Sequence, residues 1–424
     1  MDIVVYFQNG GSFVCRPTHR PASQGPSTRH VPEVPLKAMA RFPKTDHAMR
    51  MTDITYLDPR SGATYPLATP RWCGDGQAPL MLTPLPGIAR AAIKAEDRSL
   101  WRYGAALPFL PDDPITMGEG CSPLVPRVIG GASALVKCEW FMPTGSFKDR
   151  GASVMLSMLR AQGVTHVLED SSGNGGAAVA AYAAAGGMRA KILVPASTSP
   201  AKTVQSRASG AEIELVPGSR QDCADEALRQ AADIFYASHN WHPFFLHGTK
   251  TLAYELWEDL GFVAPDNVIV PCGAGSNVLG CGIGFAELQR AGEIKKLPRI
   301  FAAQPENCAP IARAFLKQPA VAAVPTIAEG TAIAQPIRTP EVLAVLQESQ
   351  GGAVMLSEAE IAAATLDLAR TGIYVEPTCA QAAAAFVKLL EAGTIRADET
   401  TVVVLTGTGL KSTPRIAELL GVSI

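Results

Sequence analysis

From about residue 164 the chain alternates short apolar runs with alanine-rich amphipathic stretches, and few folds accept that pattern. "VTHVLED" (164–170) has the length and β-branched content of a strand, and "GGAAVAAYAAAGG" reads as a helix closed by Gly186 and Gly187. "RAKILVPA" then predicts a strand, "SPAKTVQSRASGA" a helix, "EIELVPG" a strand and "RQDCADEALRQAADIF" a helix. Later, "DNVIVPCG", "LPRIFAAQ" and "TTVVVLTG" predict buried strands, each running into a glycine-bearing loop or helix. Apolar strands separated by helices require a mostly parallel sheet with both faces covered. Two such runs predict an α/β protein of two three-layer domains.

With 424 residues, 47% of them hydrophobic, there is material for a large core and two or three domains. The net charge is −2 with no Lys/Arg run, which argues against nucleic acid or an anionic membrane as partner. The longest apolar stretch, Ala177–Gly187, is far too short to span a bilayer. Nine scattered cysteines without a C-x-x-C pair suggest reduced thiols in a cytoplasmic protein. His239, His242 and His247 lie close together but match no zinc spacing, so no metal is expected. Residues 1–50 are rich in Pro, Ser, Arg and His and lack periodicity, which predicts a poorly ordered extension. They contain no continuous apolar h-region of a secretory signal.

Ligands of open parallel sheets bind beyond the carboxyl ends of the strands. Three glycine-bearing loops fall there: "EDSSGNGG" (169–176), "PCGAGSNVLG" (271–280) and "LTGTGLKS" (405–412). None is a P-loop, and no G-x-G-x-x-G precedes an acidic residue at dinucleotide spacing, which disfavours ATP and NAD. "GAGSN" ahead of a helix would still cradle one phosphate on backbone N–H groups. A fourth stretch, "PTGSFKDRGA" (143–152), brings Lys148 in on a tight turn after Phe147. Alone, each glycine loop reads better as an ordinary turn, and Lys148, Asp149 and Arg150 read equally well as a solvated charge cluster. Together, a buried lysine, a monophosphate cradle, an asparagine and a hydroxyl are what pyridoxal phosphate asks of a protein.

In this constellation the sequence resembles the threonine synthase branch of the fold type II pyridoxal-phosphate enzymes. "SLWRYGAALP", "TMGEGCSPLVP", "PTGSFKDRG", "SSGN", "GTKTLAYEL", "GIYVEPTCAQAAA" and "LTGTGLK" fit that branch in order, from about residue 56 to the end. The resemblance implies a cofactor in an interdomain cleft. A large domain would be formed by 51–145 with 252–424, and a small inserted domain by 146–251. Lys148 would be the Schiff-base lysine and Asn174 the partner of the cofactor's 3-hydroxyl. Gly273, Ala274, Gly275, Ser276 and Asn277 would hold its phosphate, and Thr406 its ring nitrogen. Ser171, Ser172 and Gly173 would bind substrate. A neutral hydroxyl at the ring nitrogen favours elimination or replacement over transamination. A homodimer is implied by the same analogy.

Three departures stand out. "LDPRSG" (57–62) replaces a C-x-x-C-G element, so no zinc ribbon is expected. Gly175 and Gly176 follow Asn174 where the branch has hydroxyl residues. "HPFF" (242–245) puts Phe245 where an arginine of N-P-x-R is expected, which removes a bidentate phosphate partner. His242, His247 or Lys250 could substitute, although core or surface roles suit the histidines better.

The leading expectation is conversion of O-phosphohomoserine and water to threonine and phosphate, with Lys148 moving the protons. The alternative is a threonine/serine ammonia-lyase or β-replacement enzyme acting on an unphosphorylated amino acid. A third class is a pyridoxal-phosphate-binding protein without turnover. Lys202, Lys250 and Lys411 compete with Lys148 for the Schiff base.

Overall fold

The structure, a computed structural model, describes residues 54–424, so the expectation for residues 1–50 lies outside the described residues. β1 (Thr55–Leu57), β2 (Thr64–Pro66) and β3 (Met81–Leu82) form a small antiparallel sheet. β4 (Leu124–Ile129) and β5 (Ala132–Cys138) form a hairpin. β6 (His166–Glu169), β7 (Arg189–Pro195), β8 (Glu212–Val216) and β9 (Phe235–Tyr236) make a parallel sheet in the order β8-β7-β6-β9. β10 (Asn267–Pro271), β11 (Arg299–Pro305), β12 (Gly352–Leu356) and β13 (Thr401–Leu405) join the hairpin in a six-stranded sheet. Its order is β12-β11-β10-β13-β5-β4, parallel except at the β4 edge.

Alternation along the strands builds the layers. Val268, Val270, Val402 and Val404 face a core that includes helices Thr251–Asp259 and Ser276–Arg290. Ile269, Val403 and Leu405 face the opposite core, with helix Pro377–Glu391. The smaller sheet divides likewise, with Val167, Ile192 and Val194 on one side and Leu168 and Leu193 on the other. Both sheets are therefore central layers of α/β sandwiches, and β10 and β13 are buried along their whole length. Tyr56, Leu82, Leu100 and Trp101 share their core with helices Lys148–Ala161 and Asn174–Ala185.

The helix expected over 220–235 stops at Gln230. Ser219 and Asp222 start it with a capping box, but Phe235 leaves it and, with Tyr236, pairs with β6. β12 carried no signal strong enough for the sequence reading, since "GAVML" is short and lies at the sheet's edge.

The short helix Pro243–Thr249 ties the two halves of the site together. A Cβ at Gly248 would stand 2.1 Å from the Arg150 carbonyl oxygen, and one at Gly280 2.4 Å from Thr249 Oγ1. Only glycines allow the helices that begin at Lys148 and at Ser276 to approach it this closely.

Candidate active site

The loops after β5 and β13 are stitched together by backbone bonds. Phe147 N–H donates to the Thr406 carbonyl at 2.9 Å, and Thr408 N–H to the Gly145 carbonyl at 3.0 Å. Gly145 has φ +83°, and a Cβ there would meet Thr408 Cγ2 at 3.0 Å, so the Pro-Thr-Gly turn needs its glycine. Asp149 accepts from Thr144 N–H at 2.7 Å and from the Thr144 hydroxyl, which locks the turn ahead of Lys148. Lys148 opens helix Lys148–Ala161, with Nζ 4.8 Å from the Phe147 ring centroid and 5.5 Å from that of Phe245.

Lys148 Nζ makes no hydrogen bond or ion pair among the described residues. Desolvation lowers its pKa to about 8, against the opposing pull of Glu169 and Glu376. The competing lysines are engaged elsewhere. Lys250 is buried on Glu287 at 2.9 Å and on the Ala106 carbonyl at 2.7 Å. Lys202 pairs with Glu329 at the surface, and Lys411 donates to Asn174 Oδ1 at 3.0 Å.

Asn174 begins helix Asn174–Ala185, and its Nδ2 donates to Glu376 Oε1 at 3.1 Å. Ser171, Ser172 and Gly173 lead into that helix, whose start has no side-chain cap and leaves backbone N–H groups free. Thr406 is buried, with its Oγ1 3.4 Å from Cys379 Sγ. Lys148, Asn174 and Thr406 are thus brought together by Glu376, Lys411 and Gly407, whose ideal Cβ would lie 2.4 Å from Glu376 Oε1 and 3.2 Å from Asn174 Nδ2.

Residues 273–277 lead from β10 into helix Ser276–Arg290. Gly275 is its N-cap at φ +92°, and a Cβ there would strike Val342 Cγ2 at 2.3 Å. No side chain caps this helix, and both amide atoms of Asn277 are buried without a partner. Free N–H groups and an orphaned amide at a helix start suit a monophosphate. Ala274 also lines a cavity of about 210 Å³ with Asp170, Arg220, Tyr236 and Trp241. The residues present therefore fit pyridoxal phosphate: an unpaired, desolvated lysine, an oriented asparagine, a buried hydroxyl and an anion cradle.

Sequence reasoning missed Glu376, Glu169, His239 and Cys379, although the first and last stand in the quoted "GIYVEPTCA". Glu376 is buried, which raises its pKa while Lys411 and Asn174 oppose the rise. His242 caps helix Pro243–Thr249 and packs on Tyr56 and Phe244; His247 is buried beside Lys250. Phe245 is fully buried, with its ring in the notch left by Gly151. Among the described residues no group of His, Cys, Asp and Glu is arranged for a metal, and no helix is long and apolar enough to cross a membrane.

Residues 115–407 match the family described as pyridoxal-phosphate dependent enzyme. The chain is 35% identical to threonine synthase of Methanocaldococcus jannaschii, covering 76% of this chain and 83% of that one. It is 33% identical to threonine synthase of Methanosarcina acetivorans, over 77% and 84% respectively. Among solved structures it is similar to the processed form of threonine deaminase isoform 2 from Solanum lycopersicum. That likeness has a TM-score of 0.61 at 25% identity, over 71% of this chain and 83% of that one. With that site geometry and these relatives, the chain belongs to the pyridoxal-phosphate-dependent enzymes, in their threonine synthase branch.

Proposed function

We propose that this protein converts O-phosphohomoserine and water to threonine and phosphate. The observation that carries the reading is Lys148: an unpaired amine with a pKa near 8, fixed by a locked turn in a threonine synthase-like chain. When bound, pyridoxal phosphate supplies the electron sink that acidifies the substrate's carbons. In this reading Gly273, Ala274, Gly275, Ser276 and Asn277 hold its phosphate, Asn174 faces its 3-hydroxyl and Thr406 its ring nitrogen. Ser171, Ser172 and Gly173 present the free N–H groups of helix Asn174–Ala185 to the substrate carboxylate. Lys148, partly neutral near pH 8, takes and returns the substrate's α and β protons.

The domain division read from the sequence, 51–145 with 252–424 around 146–251, goes with this proposal, as do a cytoplasmic location and a homodimer. Steady-state release of phosphate from O-phosphohomoserine tests it, and the cofactor-loaded protein releasing none would refute it. Buried Phe245, in place of an arginine, favours the second reading, elimination or replacement on unphosphorylated threonine or serine. Formation of 2-oxo acid from either amino acid, without phosphate release from the phosphorylated one, would decide for it.

A further inference from the structure

The cavity beside Ala274, of about 210 Å³, is lined by residues from both parallel sheets. Asp170 follows β6, and Arg220 opens helix Arg220–Gln230 after β8. Tyr236 ends β9, Asn240 comes shortly after it, and Ala274 follows β10. All five stand at or beyond the carboxyl ends of parallel strands, where such sheets bind ligands.

Asp170 holds one arm of a guanidinium in this cavity. It is buried, with Oδ1 accepting from the Tyr236 hydroxyl at 2.8 Å and Oδ2 from Arg220 Nη1 at 2.6 Å. Arg220 Nε and Nη2 make no hydrogen bond among the described residues, and the side chain keeps 38% of its surface exposed. Nε with Nη2 is an edge that can fork onto two phosphate oxygens, and Asp170 leaves it free. Position 245 supplies no such fork, because it holds the fully buried Phe245.

The cavity adjoins the lysine's pocket. His239, between Tyr236 and Asn240 in the chain, lies near enough to Lys148 and to Arg220 for both charges to depress its pKa. Its ring meets Phe245 at 5.7 Å between centroids, and Lys148 Nζ lies 5.5 Å from the centroid of that same phenyl ring. The uncapped start of helix Ser276–Arg290 already offers the cofactor's phosphate its own N–H groups, which leaves Arg220 for a second anion.

We propose that Arg220, held by Asp170, is a specificity-determining residue that takes the substrate's phosphate, in place of the arginine expected at position 245. This rests on the threonine synthase-like reading. When the bond between the γ carbon and oxygen breaks, its electron pair passes to the phosphate, and Arg220 faces the charge that gathers there.

Titrations that follow the cofactor's visible absorption compare O-phosphohomoserine with homoserine, in the wild type and in Asp170→Asn/Arg220→Met. The double variant removes both charges, so no buried carboxylate is stranded. The wild type should prefer the phosphorylated amino acid. That preference should fall roughly 10- to 100-fold in the variant, with homoserine binding unchanged. Arg220→Lys should keep only part of it, since an ammonium cannot fork. A wild type without the preference, or a variant that retains it, overturns the proposal alone, whereas no phosphate release by the wild type overturns the underlying reading with it. A matching loss of cofactor affinity would put Arg220 on the cofactor's own phosphate and overturn the proposal too. A second readout uses no variant: crystals of the cofactor-loaded wild type soaked in inorganic phosphate should hold the anion on Arg220 Nε and Nη2. A cavity without it overturns the assignment even if the variants fail to fold.

Discussion

Lys411 Nζ donates to Asn174 Oδ1 at 3.0 Å, and this turns the amide's Nδ2 toward the Glu376 carboxylate, 3.1 Å away. An asparagine amide could otherwise sit in either of two orientations. Here a cation on one side and an anion on the other leave a single choice. The donor edge of Asn174 is thereby set before any ligand arrives.

Lys411→Met should loosen this arrangement and leave Glu376 buried without the cation that acts on it most strongly. A hydrogen bond to a charged group contributes about 1.5–3 kcal/mol, so cofactor affinity should weaken on the order of 10- to 100-fold. Titration of the cofactor-free protein, followed by fluorescence quenching, measures this. An unchanged dissociation constant would mean that Asn174 is held by other means.

Lys148→Ala should abolish the borohydride-reducible bond to the cofactor while the phosphate cradle keeps it bound. Turnover should fall by at least roughly 10²–10⁴, the range of a positioned acid–base group. Persisting covalent attachment in the variant would move the Schiff base to Lys202, Lys250 or Lys411. Their observed engagements, with Glu329, Glu287 and Asn174 respectively, argue against each.

The site was legible in the sequence wherever it is local. The turn before Lys148, the glycine at the head of helix Ser276–Arg290 and the apolar strands β10 and β13 are each written in consecutive residues. Glu376 was not legible, because its partner Asn174 is 202 positions away and the two meet only when loops of different sheets converge. The same holds for His239. Its ring meets Glu169, Phe245 and the space that Gly175 leaves, and no spacing rule joins the four. Phe235 was misassigned to the end of a helix because a strand of two residues is too short to display a strand's period.

Arg150 follows Lys148 on the same helical turn and is entirely buried. It forks onto Glu139 at 2.7 and 2.8 Å and reaches Glu255 at 2.9 Å, while Lys137 holds Glu255 from the other side at 2.6 Å. Arg150→Met leaves Glu139 uncompensated in the interior. The expected loss is about 3–5 kcal/mol in denaturant unfolding at neutral pH. A loss below about 1 kcal/mol would show that the network relaxes around the gap.

The last prediction separates stability from activity at Lys148. In the unfolded chain this lysine keeps its proton to its ordinary pKa of 10.5, while in the folded protein it gives it up near 8. Between those values the unfolded state binds more protons, so this group makes stability rise with pH through that window. Below it both states are protonated, and the cost of holding a charge in the pocket is constant and complete. Lys148→Met removes the charge, so the cofactor-free variant should be more stable than the wild type near neutral pH, by about 1–3 kcal/mol. That advantage should shrink as the pH rises toward about 10, where the folded wild type already holds a neutral amine. Urea unfolding of both proteins at the two ends of the range measures it. A variant no more stable at neutral pH, or an advantage that grows with pH, would mean that the folded protein does not depress the lysine's pKa.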